Sequence, residues 1–319
     1  MIAAAFTAAV VLAVIAGFND GGNLFALSAA SRTIPPVRSF LLIVAGAFVG
    51  PFVLGTAVAH TTGTGVADYA TVGAAQLFAA IAGAIATVGL TFAARVPTSI
   101  SAALFASMVG ALWSGPGLAA VRWHGVELVA VSLVGSVVIG AAGGAIAYGA
   151  VAWLLARVHR PAGERIVSLQ HLTTFALAVA YGSNDLERTA GLLGAAVSTG
   201  TFTAPAWTFV VAGLAFVMGL VAGGGRIART VGGKLFSIRP QSALAAEVSS
   251  AATVICSSLL GGPLSTTAVA ASSLIGVGAA VDSRAIHWHA AAQIALTWIV
   301  TVPAALVAGA LAGLIVRSI

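Results

Sequence analysis

Two Asn-Asp pairs, each set among glycines inside an apolar run, are the residues best suited to chemistry in this chain. One is Gly17-Phe18-Asn19-Asp20-Gly21-Gly22-Asn23 and the other is Gly182-Ser183-Asn184-Asp185-Leu186-Glu187-Arg188. A charged side chain at bilayer depth costs about 2.5–3.5 kcal/mol on the mildest insertion scale, so a carboxylate kept there is by default a functional candidate. Asn19, Asn23 and Asn184 offer amide donors and carbonyl acceptors. Asp20 and Asp185 can hold a cation, carry a coupling proton, or accept a hydrogen bond from a protonated oxyanion. Two hydroxyl clusters follow Pro97 and Pro263: Thr98, Ser99 and Ser101, then Ser265, Thr266 and Thr267. Such hydroxyls can donate to anion oxygens or ligate Na+, and they also commonly bond back to their own helix.

The elements that must position these residues are transmembrane helices. The 319 residues are 60% hydrophobic and only 7% charged, whereas a soluble domain carries roughly 25% charged residues. The fold class is therefore an all-α polytopic membrane protein. With about 20 apolar residues needed per span, the chain divides into ten elements near 2–31, 37–59, 72–95, 97–113, 126–157, 165–199, 205–224, 242–262, 263–281 and 288–316. The elements starting at Pro97 and Pro263 are short and read as hairpins or half-helices. The glycines of the Asn-Asp motifs are expected to interrupt their helices, exposing N–H groups at one half-helix end, suited to an oxyanion, and carbonyls at the other, suited to Na+.

The motifs recur in register. Asn19 to Asn184 is an offset of 165 residues, and Pro97 to Pro263 is one of 166. This spacing predicts an internal repeat of five elements per copy, 1–157 and 165–319, joined by a linker at 158–164. An odd number of crossings inverts the second copy. The charges agree: segment 60–71 has no Lys or Arg, while its partner near 225–240 holds Arg226, Arg229, Lys234 and Arg239. Placing 225–240 in the cytoplasm puts eleven of the 14 basic residues inside and Arg122 and Arg317 outside, with Arg188 in the membrane and both termini extracytoplasmic. Inverted repeats with interrupted helices meeting near the midplane are the architecture of secondary transporters. The net charge of +6 is thus a topology signal and not a nucleic-acid surface. No G-x-x-x-x-G-K-[ST] segment supports ATP-driven pumping, and the single cysteine, Cys256, frames no disulfide or metal site. The first apolar run lacks a basic lead and reads as a retained helix.

The paired Gly-x-Asn-Asp pattern, each copy followed by a Pro-x-Ser-Thr-Thr-like motif, resembles the inorganic phosphate transporter (PiT) family. The span Gly232–Gly278, with GGKLFSIRP, SALAAEVSSA and GGPLSTTAVAASSLIGVG, is especially similar. The resemblance implies a cation-coupled anion importer of the plasma (cell inner) membrane that holds inorganic phosphate between its repeats. It implies no organic cofactor, Na+ or H+ as coupling ion, and a homodimer. By position it assigns Asn19, Asp20, Asn23, Ser99, Ser101, Asn184, Asp185, Ser265, Thr266 and Thr267 to the substrate and cation region, with Na+ at Asn19, Asp20, Asn184 and Asp185. The chain departs from the family pattern at Ile100, at Ala102 and Ala268 where a His commonly follows, and at Arg188 where Asn is expected.

Arg188 is either an anion ligand or the neutralising partner of Asp185 or Glu187. Glu187 and Glu247 join Asp20 and Asp185 as candidates for a coupling proton, Glu247 being an acidic residue inside an apolar helix. The rival cargo is sulfate or another oxyanion, favoured by the extra positive charge of Arg188. Phosphate leads because HPO₄²⁻ has a proton to give to a carboxylate and sulfate has none. An intramembrane enzyme acting on a lipid phosphate lacks an identifiable nucleophile–base pair, and a passive channel does not call for motifs built to bind.

Overall fold

The computed structural model describes residues 1–30, 33–94, 98–157, 162–198, 200–231, 239–282, 284 and 288–318, and every regular element among them is helical. Arg32, Arg95, Pro97, Arg160, Lys234 and the 158–161 part of the linker lie outside the described residues. The helices are α1 (Ile2–Ala16), α2 (Gly22–Ala30), α3 (Pro36–Leu54), α4 (Ala57–His60), α5 (Tyr69–Val72), α6 (Ala74–Ala93) and α7 (Ile100–Ser114). They continue as α8 (Trp123–Ala156), α9 (Ala162–Tyr181), α10 (Glu187–Val197), α11 (Ala206–Val231), α12 (Pro240–Leu259), α13 (Thr266–Asp282) and α14 (Trp288–Arg317). Among the described residues seven spans are long and apolar enough to cross a membrane, including Ile2–Ser28, Trp123–Ala156 and Pro240–Leu259. Their outward faces carry large exposed apolar side chains, such as Val131, Val134 and Val138 on α8 and Leu214, Met218 and Val221 on α11. Water would penalise that surface, and acyl chains solvate it.

The Asn-Asp motifs do not open their helices as expected. Gly17–Gly21 and Gly182–Leu186 are each a single π turn, and the helix runs through both. The flanking Ala16 and Gly22 have φ/ψ of −63°/−44° and −62°/−41°, and Tyr181 and Glu187 are equally helical. A π turn inserts one extra residue into the helical ladder, which bulges the helix and re-aims its side chains without stripping the backbone of hydrogen bonds. In a bilayer that is the less costly way to present polar side chains, because each orphaned backbone group there costs several kcal/mol. A further π turn, Thr61–Gly65, sits where the sequence reads as a loop, and with α4 it packs against α10.

Packing follows a reciprocal pattern. α3 lies on α9 as α11 lies on α1 and α2; α7 lies on α14 as α13 lies on α8; α6 lies on α14 as α12 lies on α8. The short helices α7 and α13, anticipated after Pro97 and Pro263, are thus each clamped by the last long helix of the other half. Each begins at a serine whose hydroxyl accepts a helix N–H: Ser99 from Ala102 at 3.1 Å and Ser265 from Ala268 at 3.3 Å. The apolar core divides into one cluster around Leu12, Leu77, Leu104 and Met108 and another around Ile43, Leu177, Leu244 and Leu264.

Two glycines let the π turns be packed this tightly. A Cβ on Gly17 would lie 1.8 Å from the Phe216 carbonyl oxygen of α11, and one on Gly182 would lie 2.0 Å from the Ala47 oxygen of α3. Backbone cannot yield as a side chain can, so Gly182→Ala is expected to destabilise by about 1–3 kcal/mol. Gly89→Ala, on the exposed face of α6 with nothing within 4 Å of the new methyl, should be neutral or slightly stabilising. Thermal unfolding midpoints of the two variants in one detergent check the contrast.

Candidate functional site

The two π turns bring their Asn-Asp pairs to one buried cluster, which the start of α13 completes. Asp20 Oδ1 accepts from Asn19 Nδ2 at 2.8 Å and from Thr267 Oγ1 at 2.7 Å. Asn23 Nδ2 donates to the same Thr267 hydroxyl at 3.0 Å. On the second motif, Asp185 Oδ2 accepts from Thr266 Oγ1 at 3.3 Å, and Tyr181 donates its hydroxyl to the Thr266 carbonyl at 2.9 Å. With its amide oriented to donate to Leu264 O at 3.1 Å, Asn184 also accepts from Leu264 N at 3.2 Å. Thr266 and Thr267 therefore face opposite ways, one to each aspartate.

Arg188 joins the halves. Its side chain is 1% exposed, and Nη1 stands 3.1 Å from Asp185 Oδ1 while Nη2 stands 3.8 Å from Asp20 Oδ2. Nη1 also donates to Ser101 Oγ, which passes the bond on to Leu264 O at 2.7 Å. The sequence left Arg188 between an anion ligand and a partner for Asp185 or Glu187. The geometry pairs it with Asp185 and, more loosely, with Asp20, and leaves Nη2 with no hydrogen-bond acceptor among the described residues. A buried guanidinium donor without an acceptor is a costly arrangement and a point at which an oxyanion would be gained. Asn23 and Thr267 are the partly exposed members, so the cluster is reached from their edge.

Other expected residues lie elsewhere. The hydroxyl oxygens of Ser99 and Ser265 serve as helix caps, and these serines border an apolar cavity with Ala102, Ala268, Val129 and Leu133. Glu187 turns away from the cluster: Oε2 accepts from Val58 N at 3.0 Å and Ala59 N at 3.4 Å, at the N-terminus of α4. There its carboxyl caps the first N–H groups of that short helix. Glu247 on α12 forms a second buried polar group, with Oε1 accepting from Thr174 at 3.0 Å and Oε2 from Thr173. Sequence reasoning missed Thr173, Thr174, Tyr181 and the Leu264 peptide. Tyr181 directly precedes the second motif and was open to notice, whereas a leucine backbone gives no signal.

Because Asp185 holds the closer half of the guanidinium, Asp185→Asn should lower the unfolding midpoint more than Asp20→Asn. Removing one partner of a buried pair costs about 3–5 kcal/mol when no other charge compensates; here Asp20 compensates in part, so a smaller loss is expected. Scanning fluorimetry of both variants checks the order.

The pattern defining the Phosphate transporter family matches residues 16–309. The chain is 36% identical over 306 residues to the "Probable low-affinity inorganic phosphate transporter" of Mycobacterium bovis, covering 92% of this chain and 72% of that one. The Rhizobium meliloti protein of the same description is 30% identical over 301 residues, covering 92% and 90%. Among solved structures, "The sodium-dependent phosphate transporter" superposes with a TM-score of 0.87 over 100% of this chain and 99% of that one, at 19% identity, a likeness of fold. With a multi-span helical fold, a buried polar centre and a family match over most of its length, this chain belongs to the Phosphate transporter family and is a transporter, not an enzyme.

Proposed function

We propose that the chain is a secondary active transporter that imports inorganic phosphate across the plasma membrane by alternating access, with Na+ or H+ supplying the gradient. Two inverted repeats, 1–157 and 165–319, rock about the central cluster, the 158–164 linker faces the cytoplasm, and both termini face outside. The reciprocal packing of α3 on α9 and α11 on α1 supports two equivalent halves, and the names of the relatives support the cargo. The observation that carries the reading is the buried Arg188 with its spare Nη2 donor, ringed by Asn19, Asn23, Ser101, Asn184, Thr266 and Thr267. Guanidinium, amide and hydroxyl donors suit phosphate oxygens. Asp20 or Asp185 selects the protonated species, since a carboxylate accepts from an acid phosphate O–H and repels a fully ionised oxyanion.

Labelled phosphate uptake into proteoliposomes is the test. Uptake under an imposed Na+ or H+ gradient is expected, and Asp20→Asn and Asp185→Asn should each reduce it by about tenfold or more, the loss of roughly one charge-assisted contact. Unlabelled sulfate in excess should leave the rate unchanged. Folded wild-type protein that takes up no phosphate under either gradient would sink the reading.

Glu247 is the proposed site for a coupling proton, because its carboxylate is fully buried and its neighbours, the Thr173 and Thr174 hydroxyls and Gln170, are neutral. Glu247→Gln keeps the size and an acceptor, so the fold should persist while gradient-driven uptake falls. Counterflow exchange at equal phosphate on both sides should survive; loss of both together would assign Glu247 a structural role.

A further inference from the structure

Arg188 stands where the chain's own chemistry would otherwise place a metal cation. Asp20 and Asp185 supply one carboxylate from each motif, and a monovalent cation shared between them would be drawn to the oxygens facing each other across the cluster. Those oxygens already face the guanidinium as charge contacts and not as hydrogen bonds, Asp185 Oδ1 at 3.1 Å and Asp20 Oδ2 at 3.8 Å. The remaining carboxylate oxygens are also engaged, Asp20 Oδ1 by Asn19 and Thr267 and Asp185 Oδ2 by Thr266. Asn19 turns its amide nitrogen and not its oxygen onto Asp20, and Asn184 is spent on the Leu264 peptide. What the site offers is thus a set of donors around a fixed positive charge. A second cation would lose its oxygens and meet a like charge in a water-poor setting, where repulsion is least screened.

We infer that Arg188 is a tethered counter-cation in the position between Asp20 and Asp185 that a dissociable sodium ion would take, so that this chain binds and moves its anion without sodium. The inference rests on the transport reading above and sharpens its choice of ion. A guanidinium and Na+ carry the same charge, but the guanidinium never leaves. It holds the two halves' carboxylates together and keeps Nη2 for the oxyanion, and it draws nothing from a sodium gradient. Arg188 is in this sense a determinant of ion specificity as well as an anion ligand.

Two measurements on the full chain test this. First, phosphate uptake into proteoliposomes is compared with external Na+ and with N-methyl-D-glucamine, at one pH and one membrane potential. The rates should agree to within about twofold, because an ion that binds no state of the carrier shifts none. A fall of about tenfold or more without sodium, well inside the range of ordinary coupling factors, overturns the inference. Second, unfolding midpoints are read in Na+ and K+ at equal ionic strength. Wild type should not distinguish the two ions, whereas Arg188→Asn, which leaves the carboxylates without their cation, should gain stability specifically with Na+. A sodium-specific rise in the wild type, or none in a folded Arg188→Asn, overturns the inference. Should Arg188→Asn not fold, Arg188→Gln takes its place and the two wild-type comparisons still decide. The midpoints do not depend on transport, so a protein that takes up no phosphate in either medium would sink the transport reading while the ion question is still answered.

Discussion

The structure is organised around one buried charge arrangement: the Arg188 guanidinium held between Asp185 and Asp20. Two carboxylates from different halves of a membrane protein would repel each other at this depth, and a lone guanidinium would be as poorly placed. Together they sit in a network of Asn19, Asn23, Ser101, Asn184, Thr266 and Thr267. That network ties α1–α2, α7, α9–α10 and α13 into one centre, so the polar group is also what registers the helices that build it. On the proposed transport reading, the fixed positive charge and the spare donor are in place before the anion arrives.

The arrangement depends on backbone shape as much as on charge. A broken helix would expose peptide groups to lipid. The π turns re-aim the side chains without that cost. They are packed in place by α11 against Gly17 and by α3 against Gly182, at distances no Cβ permits. Ser99 and Ser265 hold the starts of α7 and α13, which bring Ser101 and Thr266–Thr267 beside the turns.

Acidic residues that look alike in the sequence divide by environment. Glu187 is satisfied by the first N–H groups of α4, a contact that fixes the α4 segment to α10. Glu247 is enclosed by Thr173 and Thr174 of α9 and forms no ion pair among the described residues. Asp20 and Asp185 share the one arginine. The difference lies in what each neighbouring helix presents to the carboxylate.

The sequence by itself determined the class of the molecule, its spans and the motifs at its centre. Apolar runs of bilayer length, the recurrence of Asn-Asp and of the Pro-Ser segments at nearly one offset, and the sparse charges are local properties that need no folding to be read. Only the tertiary structure decided that the motifs are π turns, that the TTGTG segment is helical, and that Arg188 turns to Asp185 and Asp20 while Glu187 turns to α4. It alone showed Leu264 as a hinge of the site, through its peptide and not its side chain. The reason is physical: hydropathy and motif spacing are carried by residue type along one chain. Asp185 lies only three positions from Arg188, but Asp20, Ser101 and the α4 N–H groups that receive Glu187 are remote in sequence, and residue type does not encode backbone hydrogen bonds that form across helices.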